Sequence, residues 1–132
     1  MFRDEKQTHS AIRALLATLP GLGRLWTDTG PTDEAARTLE GGGPAMSTGE
    51  ALLVRVAFDL WNKGGNAPLG HVINTLGNAP LAALGGLLVA LTQRPEALDA
   101  WINTTRTAGD LAASASGRRP DGTSNGDRTG DR

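Results

Sequence analysis

The tetrapeptide Asn66-Ala-Pro-Leu69 recurs as Asn78-Ala-Pro-Leu81, inside a run from residue 64 to residue 93 that contains no charged side chain. The repeat predicts where two consecutive helices begin. Asn is among the best N-cap residues, because its side-chain oxygen accepts a bond from a free first-turn amide. Pro close behind suits a position where the helix needs no amide donor. Asn66 and Asn78 are therefore expected as caps, of a short helix over 69–76 stopped by Gly77 and of a longer apolar helix over 81–91. A chargeless run of this length belongs in a core or an interface rather than on a solvated face. Solenoid repeats run about 20–50 residues. The two copies here diverge directly after the tetrapeptide, so they mark two similar helix starts, not an array.

Upstream, Ser47-Thr-Gly-Glu50 has the form of a capping box, in which the Ser hydroxyl bonds the amide three residues on and the Glu carboxylate reaches back. It opens a helix over 48–62 whose Leu52, Leu53, Val54, Val56, Ala57, Phe58, Leu60 and Trp61 wrap most of the circumference. A helix apolar on nearly all sides is a central one. Its polar strip holds Arg55 and Asp59, four apart and able to pair.

The remaining elements are more weakly marked. Residues 1–7 read as frayed. Ile12, Leu15, Leu16 and Leu19 form the stripe of an amphipathic helix over 8–19, with His9 and Arg13 on the other side and Pro20-Gly21 ending it. Leu22-Gly-Arg-Leu-Trp26 reads as a turn that returns two Leu and a Trp to the core. Thr32 is expected to cap a weak helix through Leu39, and Gly41-Gly-Gly-Pro44 to break the chain. A last helix starts at Pro95, with Leu98, Trp101 and Ile102 as its stripe, and its periodicity fades past Thr105. The segment 116–132 is a Gly-rich polyampholyte without an apolar side chain, and is expected to be disordered. The fold class is thus all-α: a single helical domain over 8–115, its core within 47–104, of about five short helices around the 48–62 helix.

Composition narrows the function. Thirteen basic residues against fourteen acidic ones leave no global field to draw the chain to nucleic acid or an anionic membrane. The absence of Cys removes disulfides, thiol catalysis and Cys-ligated zinc. His9 and His71 lie on separate helices without carboxylates at ligand spacing, so no metal is expected. The Gly-rich approach to Ser47 lacks the Lys and the preceding strand of a phosphate-binding loop, and Gly21-Leu-Gly23 is an isolated turn. No catalytic set, cofactor or small-molecule substrate is legible, and the chain is not expected to be an enzyme.

Three short helices over 48–91 have the outline of a helix-turn-helix unit, but the second and third, which should carry Arg, Lys, Asn or Gln to reach phosphates and bases, carry no charge at all. A small DNA-associated regulator is the rival reading, with Arg118-Arg119 offset by Asp121, Asp127 and Asp131. Residues 69–91 would span a bilayer by length, yet they include His71, Asn74, Asn78, Pro80 and four Gly. A membrane-inserted peptide is the third reading, and a cytoplasmic protein is expected from the polar start. The first reading is a non-enzymatic interaction or accessory module that binds a protein partner or itself. Its candidate interface is Leu84, Gly85, Gly86 and Leu88 of the 81–91 helix together with Trp61, the Gly pair allowing close helix approach. Eleven Arg against two Lys, with abundant Ala and Gly, suggests GC-rich coding, and by association a phage or mobile-element origin.

Overall fold

The computed structural model describes residues 1–41, 46–62 and 64–117, of which 111–117 are given as helix backbone. Two expectations, the break over residues 41–44 after its first residue and the 116–132 tail from residue 118 on, lie outside the described residues. The order is α1 (Glu5–Leu16), a 3-10 turn (Leu22–Leu25), β1 (Trp26–Thr27), β2 (Gly30–Pro31), α2 (Asp33–Leu39), α3 (Thr48–Asn62), α4 (Leu69–Thr75), α5 (Asn78–Leu91) and α6 (Pro95–Gly117). The architecture is an all-α bundle with one minimal antiparallel hairpin, Trp26 facing Pro31 and Thr27 facing Gly30.

α1 begins at Glu5. Asp4 caps α1 by accepting the Gln7 amide at 2.8 Å, and Gln7 is buried at 4% exposure. Its Nε2 donates to Pro95 O and to Asp99 Oδ1, both at 3.0 Å, fastening α1 to the start of α6. Within the stretch expected to be frayed, Glu5, Lys6 and Gln7 thus belong to α1, and the acceptors of Gln7 lie some ninety residues away. Ala11, Ile12, Ala14, Leu15 and Leu16 are fully buried. α1 packs on α3, α5, α6, the 3-10 turn and β1, so it shares the centre of the bundle with α3.

α3 opens as expected. The Glu50 amide donates to Ser47 Oγ at 3.1 Å, and the Ser47 amide to Glu50 Oε1 at 2.8 Å. Thr32 likewise caps α2 through the Ala35 amide at 3.2 Å. Leu52, Leu53, Val54, Val56, Ala57 and Phe58 are buried.

The duplicated tetrapeptide is where sequence and structure part. Asn66 sits at φ +52° in the left-handed region and is not a cap. Pro68 holds the cap position of α4 instead, in an extended conformation. Asn78 is the first residue of α5, whose cap is Gly77, and no side chain caps that helix. One tetrapeptide therefore adopts two conformations, because Pro is as acceptable inside a first helical turn as just before one.

The expected pairing of Arg55 with Asp59 is also replaced. Asp59 accepts the amides of Gly65 and Asn66 at 3.0 Å each and of Ala67 at 2.9 Å, while Arg55 donates to Gly65 O at 3.1 Å. Both side chains clamp the loop between α3 and α4.

α6 continues beyond Thr105 to Gly117, two residues past the expected domain limit. The apolar stripe fades because the helix crosses the end of α1 on a small residue. A Cβ at Gly109 would lie 3.3 Å from Ala17 O, so contact there is backbone against backbone.

Candidate interaction surface

Trp26, Phe58, Trp61 and His9 form one cluster. The Trp26 ring stands edge-on to Phe58 at 5.2 Å and to Trp61 at 5.6 Å. Its indole N–H donates to His9 Nδ1 at 3.0 Å. His9, placed by its polarity on the outer side of α1, is in fact 2% exposed. The hairpin brings Gly30 against the cluster, where a Cβ would lie 3.9 Å from Trp61 Cζ2 and 4.0 Å from His9 Cε1. Trp61 retains 36% of its surface to solvent, so this candidate is a core side chain with one open edge.

The structure divides the α5 candidates. Leu84 is 8% exposed and belongs to the core with Leu87. Gly86 serves internal packing: a Cβ there would lie 3.0 Å from Trp101 Nε1. That indole N–H donates to Ala83 O at 3.1 Å and seats α6 on α5. Gly85 faces open space: among the described residues, nothing outside its own stretch of helix comes within 4 Å of a Cβ built on it. Leu88 is 49% exposed, and its neighbour Val89 60%. Ala82, Gly85 and Val89 share one side of the helix by their spacing, and all three are exposed. The outward side of α5 is thus Ala82, Gly85, Leu88 and Val89. Leu69 and Ile73, four apart on α4, add a second exposed apolar pair that the sequence reading passed over.

Charge lies elsewhere. Ion pairs among the described residues are Arg3–Asp99 at 2.8 Å, Arg13–Asp28 at 2.5 Å and Arg24–Glu34 at 2.6 Å. Hydrogen bonds from Arg3 and from Gln7 hold the Asp99 carboxyl below its ordinary 3.8, against a smaller upward push from desolvation. A carboxyl lowered on folding stabilises the fold above its unfolded pKa, and that contribution is lost as pH falls through the folded value. Both side chains are half-exposed, so solvent screening keeps the contribution small. An NMR titration of the Asp99 carboxyl should give a midpoint below 3.8 that moves up toward it in Arg3→Gln. An unchanged midpoint would contradict the assignment.

Among the described residues, no group of three or more His, Asp or Glu is placed to hold a metal ion, and no helix is long and apolar enough to cross a membrane. Comparison with protein-family models, with curated proteins and with solved structures gives no match to this chain.

Proposed function

We propose that this protein is a non-enzymatic interaction module that pairs with a second copy of itself through the outward side of α5. The observation that carries the reading is the exposure of Leu88 and Val89, at 49% and 60%, on a helix without a single charge. Water is a poor environment for such a side, and a like surface is a good one. In a two-fold pair the same patch meets itself, so a chargeless side brings no like-charge repulsion. Gly85, which no other described element approaches, admits close approach of the second helix. The role expected of the Gly85-Gly86 pair thus passes to Gly85 alone. One helix pair buries less than the ~1,600 Å² of a standard interface, so association should be reversible and concentration-dependent.

The chain contains no Cys, which makes single-thiol cross-linking clean. Ala82→Cys should be joined into a covalent dimer by a short bifunctional thiol reagent. Glu40→Cys, at the end of α2, should stay monomeric. Equal cross-linking of the two variants, or none with either, would refute the α5 interface.

A further inference from the structure

Between α3 and α4 lies a shallow, widely open cavity of about 490 Å³, a volume within the range of small-ligand clefts. Met46, Ala51, Leu52 and Pro68 give it an apolar wall. Arg55, Asn66 and His71 give it a polar side, and Arg55 is the one ionic group always charged at neutral pH on that lining. The guanidinium is part-buried. One of its N–H groups donates to Gly65 O at 3.1 Å, and the others have no acceptor among the described residues.

The two carboxylates nearest to it in the chain are engaged with backbone amides. Asp59, one turn on, is taken by the three loop amides. Glu50 is held at the Ser47 amide by the capping box and does not line the cavity. No described carboxylate forms an ion pair with Arg55. A part-buried guanidinium that has no ionic partner among the described residues, and fork-shaped donors they leave open, is matched by a carboxylate, which can take two of them at once. His71 is exposed, with Nδ1 3.4 Å from Thr75 Oγ1, so its Nε2 is left for a second contact.

We infer that this cavity binds a monocarboxylate carried on a short apolar body, with Arg55 as the ionic anchor. A phosphate fits less well. It brings more charge than a single guanidinium offsets, the first-turn Glu50 amide is already taken by Ser47 Oγ, and half the lining is apolar. The shared chemistry, a carboxylate beside an aliphatic group, occurs both in a free acid and at the C-terminus of a peptide.

Hexanoate is the probe. Added to isotopically labelled protein, it should shift the amides of Ala51, Leu52 and His71 and the Arg55 side-chain N–H saturably, in the weak range expected of a small fragment. Hexanamide, the same body without charge, should bind at least about tenfold more weakly. Ala51→Leu, which fills the apolar wall and leaves Arg55 intact, should weaken hexanoate by a similar factor. Arg55→Gln should do the same, but it also removes the bond to Gly65, so Ala51→Leu and hexanamide decide the matter. A capped peptide ending in Leu-COO⁻ that binds tenfold tighter than hexanoate marks a chain terminus as the source, and one that binds no tighter marks a free acid. Non-saturating or scattered shifts, equal affinity for hexanamide, or indifference to Ala51→Leu would each overturn the inference. Such a failure would leave the α5 pairing standing, because the two share no residue.

Discussion

Gly65→Ala should cost at least about 1–3 kcal/mol from the clash alone, a sizeable part of the ~5–15 kcal/mol that a domain of this size has to lose. The reason is geometric. A Cβ at Gly65 would stand 1.8 Å from Arg55 O and 2.7 Å from Arg55 C, both backbone atoms of α3 that cannot swing aside. The loop must withdraw, and Asp59 then loses the amides of Gly65, Asn66 and Ala67. Hydrogen bonds to a charged group contribute about 1.5–3 kcal/mol each, so their loss compounds the clash. Gly64→Ala is the control. Its nearest obstacle is the Asn62 side-chain oxygen at 3.0 Å, which can rotate away. Urea denaturation followed by circular dichroism separates the cases. A Gly65→Ala midpoint close to wild type would mean that the loop does not approach α3 as described.

The second large effect falls on the aromatic cluster. Trp26→Ala should cost at least ~3–5 kcal/mol, and more than Phe58→Ala. Trp26 is 1% exposed and contacts two aromatic rings. Its removal opens a cavity and leaves buried His9 without its indole donor. Trp61→Ala should cost clearly less, because 36% of that side chain already faces solvent. Thermal melts of the three variants should rank Trp26, Phe58, Trp61. A Trp61 variant as damaged as the Trp26 variant would mean that the cluster is closed over by something on its outer edge.

What was legible in the sequence follows the reach of the interactions. The Ser47–Glu50 box and the Thr32 cap were readable because donor and acceptor lie three residues apart, and both form as expected. Asn66 was misread because the carboxylate that shapes its loop sits on the previous helix. Asp59 draws three consecutive amides to itself, and Asn66 takes the left-handed conformation in between. Gln7 and His9 were misplaced for the same reason: their partners, Pro95, Asp99 and Trp26, are distant in the chain, and polarity alone assigns such side chains to solvent.

The candidate surface was half legible. Absence of charge marked α5 as unusual, but a helix apolar all round has no periodicity from which to choose an outer side. Leu84 and Leu88 were therefore indistinguishable until packing on α1 and α6 buried the first and left the second exposed. Gly85 and Gly86 are adjacent letters, yet Trp101 occupies the space beside Gly86 and no other described element lies beside Gly85.

Sedimentation equilibrium of the wild type and of Leu88→Asp/Val89→Asp, over a wide concentration range, tests the central claim most directly. The wild type should pass reversibly from monomer to dimer, and the variant should remain a folded monomer at every concentration. A wild type that stays monomeric throughout, or a variant that dimerises as readily, would contradict association through α5.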